Sequence, residues 1–126
     1  MIFFIIIMLV SINNLKKAEQ FVHLFQFLKL FTNSLNILFN KDRFYVQGMD
    51  SSHVSVFEAS LKSDWFDVYD VNEDTIVGIN VSLFFKILNI RSESHKINII
   101  QHEDNLDVEL ISDLKSEYDK FFNMPL

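Results

Sequence analysis

The sequence predicts one α+β domain in which a unit of strand, helix and several strands occurs twice. Three observations carry that reading. Residues 22–35 and 81–90 repeat their apolar positions with a helical period, while most of the remaining chain reads as short strands separated by turns. A length of 126 residues suits one domain able to bury its own core. With 2 Gly and 1 Pro, the composition argues against a long linker or a low-complexity tail.

Residues 1–10, M-I-F-F-I-I-I-M-L-V, are apolar throughout. That run is about half of the ~20 residues a helix needs to cross a bilayer. No basic residue precedes it, as a signal peptide would require. Three readings stay open, in order of preference: an upstream translation artefact outside the fold, an extra buried or edge strand, and a weak membrane anchor. Residues 17–21 read as a short strand. In 22–35 the face Leu24, Phe25, Leu28, Phe31 and Leu35, led in by Phe21, is apolar. The opposite stripe is His23, Gln26, Lys29 and Asn33, without an acid, with Phe27 and Leu30 on its margins.

Residues 36–40 and Arg43–Met49 read as a hairpin turning at Lys41-Asp42. The turn Met49-Asp50-Ser51-Ser52-His53 follows. Asp50, Ser51 and Ser52 are expected to hydrogen-bond their own backbone, leaving Met49, His53 and Val54 to line a shallow surface. Residues 54–61 form the next strand, and Ser63-Asp64 break it beside the anchors Trp65 and Phe66. Strands 67–71 and Thr75–Asn80 flank a polar turn at Asn72-Glu73-Asp74. The second helix buries Val81, Phe84, Ile87 and Leu88 and presents Ser82, Lys86 and Asn89. A loop at 91–95, strands at 96–101 and 106–111 around a turn at 102–105, and an extended end over 114–126 complete the chain.

The formal net charge of −6 counts against phosphate binding on average. Nearly all 17 acids nevertheless fall in turns and strands, so the two helices present neutral-to-basic stripes on an acidic body. Without Cys there are no disulfides, thiolate metal sites or Cys nucleophiles, which suits a reducing compartment. His23, His53, His95 and His102 are scattered, without H-E-x-x-H spacing. Asp64, Asp67, Asp70, Glu73 and Asp74 lack the spacing of a calcium loop and read as a solvated acidic region. Ser51-Ser52-His53 are adjacent, which does not build a nucleophile–base geometry. No catalytic residue, metal ligand or cofactor is expected.

Four segments together carry a family resemblance: M-D-S-S-H-V at 49–54, S-D-W-F-D-V-Y at 63–69, G-I-N-V at 78–81 and K-I-L at 86–88. The chain resembles the N-terminal domain of proliferating cell nuclear antigen (PCNA), the sliding clamp of eukaryotes and viruses, from about Lys17 to Leu126. Residues 1–16 are expected to lie outside the fold as an apolar extension, and 17–126 to form the domain.

The resemblance implies the DNA-clamp fold, with antiparallel sheets outside and two helices on the DNA-facing side. It implies a non-enzymatic DNA polymerase processivity factor. In the family a subunit has two such domains and three subunits form a ring, so this chain is expected to supply the N-terminal half and to need a second-half chain or further copies. DNA-facing residues would be Lys29, His23, Gln26, Asn33, Lys86, Asn89 and Arg91. The family usually has a basic cluster at the start of the first helix; the helix predicted here starts at Phe21-Val22-His23, with Lys16-Lys17 upstream of it. Asn89 stands where another Lys is common.

The partner-peptide pocket would draw on Met49, Ser52, His53, Val54 and Leu126. Strands 54–61 and 106–112 would be sheet edges that pair with neighbouring domains. Implied partners are double-stranded DNA, bound without sequence preference, a DNA polymerase and other proteins with a short clamp-binding peptide, and a clamp loader. The place of action would be the nucleus, or a cytoplasmic viral factory for a viral protein. The rival expectation is a protein-docking module or inactive clamp fragment that does not encircle DNA.

Overall fold

The computed structural model describes residues 5–126 except 51 and 53. Among the described residues nine strands form two antiparallel sheets. The first holds β5 (Val68–Val71), β1 (Met8–Ile12), β7 (His95–Gln101), β8 (Asn105–Ser112) and β9 (Lys120–Pro125), in that spatial order. The second holds β4 (Val56–Lys62), β3 (Arg43–Met49), β2 (Ser34–Phe39) and β6 (Thr75–Asn80). Helices α1 (Leu15–Leu28) and α2 (Val81–Leu88) pack against each other and against the sheets.

β1 corrects the expectation for the N-terminus. It pairs with β5 on one side and β7 on the other, and Met8, Val10 and Ile12 are buried. Residues 8–16 therefore belong to the domain, and the second of the three readings, a buried strand, describes Met8–Ile12. A strand buried inside a sheet reads as a nearly continuous apolar run, which is why the segment looked like an extension. Ile5 is 70% exposed, and Ile7 still donates its N–H to Gln101 O at 2.7 Å. No helix among the described residues is long and apolar enough to cross a membrane.

α1 is the second correction. The predicted strand at 17–21 is its first part, and the helix ends at Leu28 rather than Leu35. Asn14 caps it, with Oδ1 accepting from Lys17 N at 3.1 Å. Asp67 Oδ2 accepts from Asn13 N at 2.5 Å and Asn14 N at 3.2 Å, fixing the entry. The buried stripe is Ala18, Phe21, Val22, Phe25 and Leu28. Thr32-Asn33-Ser34 then favour local bonds over helix: Thr32 Oγ1 donates to Ser34 O at 2.8 Å. Leu35 belongs to β2.

β3 and β6 have the expected bounds, and α2 begins at Val81 as expected, capped by Asn80. The third correction concerns edges. β4 is an edge, but β8 lies between β7 and β9, so the edge on that side of its sheet is β9, with β5 at the opposite side. Buried His95 places β9. Ser92 N donates to His95 Nδ1 at 2.9 Å, which leaves the ring proton on Nε2 to be donated to Tyr118 O, also at 2.9 Å. That ties the α2–β7 loop to the segment entering β9.

One core joins the layers. Its centre is aromatic: Phe25 meets Phe84 with centroids 4.7 Å apart, and Phe44 meets Phe39 at 5.5 Å and Phe21 at 5.8 Å. Gly48 admits the Phe57 ring over β3, where a Cβ would stand 2.6 Å from Phe57 Cζ. Phe57 then reaches Phe31 at 5.9 Å, linking β4 to the α1–β2 connection.

If β1 is part of the core, Ile12→Ala lowers the free energy of unfolding by about 2–5 kcal/mol. Ile5→Ala at an exposed position changes it by less than about 0.5 kcal/mol. Urea denaturation reads both; a silent Ile12→Ala would return β1 to the outside of the fold.

Candidate functional site

The two helices lie side by side, and their outer residues form one surface. α1 exposes Lys16, Glu19, Gln20, His23, Gln26 and Phe27, with Lys29 as its C-cap. α2 exposes Ser82, Leu83 and Lys86, followed by Asn89 as C-cap. A hollow of about 190 Å³ between them brings together four of the expected residues, His23, Gln26, Asn89 and Arg91.

Two features of this surface depart from expectation. The first is charge. With α1 starting at Leu15, Glu19 stands one turn before His23, and Glu93 lines the same hollow, so the stripe is not acid-free. The second is Arg91. Its Nε donates to His95 O at 2.6 Å, and one terminal nitrogen donates to Leu15 O at 3.2 Å and Glu93 O at 3.3 Å. Burial pushes its pKa down, opposed by Glu19 and Glu93. Arg91 is thus a clamp between the start of α1 and the start of β7, not an outward-reaching cation.

The basic pair is where sequence reasoning erred most. Lys16 and Lys17 are the second and third residues of α1, at its start and not upstream of it. Lys16 is exposed. Lys17 turns inward, its Nζ donating to Trp65 O at 2.9 Å and lying 5.2 Å from the Trp65 ring centroid. The signal that could have found Lys16 was Asn14, a cap residue just ahead of the pair. Lys29 Nζ lies 4.4 Å over the Phe85 ring of α2, and Lys86 sits exposed on the next residue.

The turn after β3 is built on Asp50. Its Oδ1 accepts from Val54 N at 3.0 Å and Ser55 N at 3.1 Å, and Oδ2 accepts from Ser52 Oγ at 2.7 Å. Ser52 thus bonds a side chain rather than the backbone. Met49 is 50% exposed and Val54 83%. His53 and Ser51 lie outside the described residues. A hollow of about 340 Å³ joins Met49 and Asp50 to the α1–β2 connection, including Lys29, Leu30 and Asn33. Two groups of residues expected at separate sites therefore meet. Leu126 is not among them: it follows β9 in the other sheet, its N–H donating to Asp104 O at 2.9 Å.

Two of the four edge strands, β4 and β9, carry apolar surface. Beside β4, Phe21, Leu24, Ala59, Leu61 and Trp65 line an open hollow of about 150 Å³ under α1. On β9, Phe121 is 65% exposed, near Asp107 and Glu109. Among the described residues, no group of three or more His, Cys, Asp or Glu is placed to hold a metal ion.

The profile of the family "Proliferating cell nuclear antigen, N-terminal domain" matches residues 10–124. The chain belongs to the PCNA N-terminal domain family. The probable DNA polymerase sliding clamp 2 of Paramecium bursaria Chlorella virus 1 is 35% identical over 104 residues, 82% of this chain and 38% of that protein. Proliferating cell nuclear antigen 2 of Plasmodium falciparum is 28% identical over 93 residues, 74% of this chain and 35% of that protein. PCNA from Thermococcus kodakaraensis shares the fold, with a TM-score of 0.84 at 19% identity over 94% of this chain and 46% of that one. The PCNA2–PCNA3 complex of Sulfolobus tokodaii gives a TM-score of 0.81 at 22% identity, with the same coverage of 94% and 46%. The chain spans less than half the length of each of these proteins. The match begins inside β1, in keeping with that strand's place in the PCNA-like sheet.

Asp50→Ala removes the acceptor of two turn amides and costs about 0.5–2 kcal/mol. Hydrogen exchange at Val54 and Ser55 accelerates in this variant; unchanged protection would mean that other contacts hold the turn.

Proposed function

We propose that this chain is one domain of a DNA sliding clamp, a non-enzymatic processivity factor that contributes to a ring around duplex DNA. The observation that carries this reading is the pairing of one shared helix face with an outer edge on each sheet, β4 and β9, that carries apolar surface. A ring-forming domain needs a surface for the lumen and two ends to join. β4 and β9 supply backbone donors and acceptors, and the apolar hollow beside β4 supplies area to bury. The ring is completed by further clamp domains.

A clamp that slides needs weak phosphate contacts and no base readout. Lys16, Lys29 and Lys86 would supply charge, and His23, Gln26, Asn33 and Asn89 polar contacts, to double-stranded DNA. The net charge of −6 keeps DNA from the remaining surface. Met49, Ser52, His53 and Val54 would receive the short peptide of a DNA polymerase or another replication protein. Leu126 would join them only through a connecting segment beyond β9, and a clamp loader would open and close the ring. The site of action is the nucleus, or a cytoplasmic factory if the source is a virus. One feature favours a docking module that does not encircle DNA: Glu19, Phe27 and Leu83 are exposed on the helix face.

Two variants separate the roles. Lys29→Glu with Lys86→Glu lowers the salt slope of duplex binding by about 0.9 per lost contact and leaves the urea midpoint in place. Unchanged binding would favour the docking module. Met49→Ala weakens capture of a clamp-binding peptide by the assembled protein without altering duplex binding. If both change together, the docking turn and the helix face are not separate sites.

A further inference from the structure

We propose that Phe85 is the residue that positions Lys29 for phosphate contact. This rests on the reading of the helix face as DNA-facing. Lys29 is the C-cap of α1, where no further helical turn follows to hold its side chain. A free lysine carries much rotamer freedom, which is lost when it grips a phosphate. Here the loss is taken in advance, because Nζ lies 4.4 Å from the Phe85 ring centroid, within cation–π range.

The ring makes a steady seat. Phe85 is half-buried on α2 and follows Phe84, whose own ring is locked against Phe25 of α1 at 4.7 Å. The contact that packs the helices therefore also fixes where Phe85 stands relative to the end of α1. A ring face takes up only the ammonium N–H aimed at it, so the others remain available to phosphate oxygens. Lys86 is the next residue and is exposed on α2. Glu19, which could draw Lys29 into an ion pair, lies ten residues earlier, about 15 Å along the helix axis.

The contrast with the other α1 lysines sharpens the assignment. Lys17 also lies over an aromatic ring, but its Nζ is spent on Trp65 O. Lys16 has no ring beside it among the described aromatic contacts. On this face Lys29 alone, among the described residues, combines a ring seat with an ammonium that is not spent on a backbone carbonyl.

The test uses the full chain and a short mixed-sequence duplex as probe. Four proteins are compared: wild type, Phe85→Leu, Phe85→Tyr and Lys29→Ala, each with its urea midpoint as a fold control. In wild type and Phe85→Tyr the Lys29 ε-methylene protons resonate upfield from the ring current; in Phe85→Leu they return to the position of a free lysine. Phe85→Leu weakens duplex binding about two- to fivefold and Phe85→Tyr restores it. Lys29→Ala lowers the salt slope by about 0.9. Adding Phe85→Leu to Lys29→Ala costs nothing more, since the two act through one contact. Binding by Phe85→Leu equal to wild type while Lys29→Ala weakens it would overturn the inference and leave the DNA-facing reading intact. An equal loss on the Lys29→Ala background would also overturn it. If Lys29→Ala itself binds as wild type, the DNA-facing reading of this helix end fails first.

Discussion

Phe25 of α1 and Phe84 of α2 meet edge to face at the centre of the molecule, and both are almost completely buried. Offset and edge-on pairs of this kind contribute about 0.5–1.5 kcal/mol beyond the area they bury. The larger consequence is geometric. Two helices from distant parts of the chain are held side by side, so their outer residues become one surface. Lys29 over Phe85, and the hollow shared by His23, Gln26 and Asn89, depend on the helix spacing to which that contact contributes.

The helix face is sparse in charge, and its cations are not equivalent. Arg91 and Lys17 spend their donors on backbone carbonyls and work as internal ties. Lys16, Lys29 and Lys86 remain outward. Glu19 and Glu93 line the hollow with Arg91, which does not include Lys29 at the C-terminal end of α1. A surface arranged this way can hold a polyanion loosely at a few points and cannot grip it along its length. That suits movement along a duplex better than residence on it.

Much of the fold was legible because its signals were local. β3, β6 and the start of α2 follow from alternation and from Asn80 as a cap. The Asp50 turn follows from a side chain that bonds amides four and five residues on. What was missed depended on tertiary context. Met8–Ile12 carries no sign that β5 and β7 flank it. Phe31 and Leu35 continued the helical spacing of α1 in the sequence, yet Thr32-Asn33-Ser34 ended it and Leu35 went into β2. That misplacement hid Lys16 and Glu19. The exclusion of Leu126 from the Met49 hollow was likewise invisible, because it follows from β9 joining the other sheet.

The edges connect the parts of this account. β4 and β9 are each one outer edge of their sheets, and His95, through Ser92 and Tyr118, holds the segment that leads into β9. If neighbouring clamp domains continue both edges, the helix face turns toward an enclosed duplex. The decisive measurement is retention of an assembly containing this chain and a second clamp domain on closed circular duplex after a salt wash, before and after one cut that linearises the DNA. The account predicts that the assembly stays on the circle and slides off once the DNA is cut. Equal release from circular and linear DNA would contradict it.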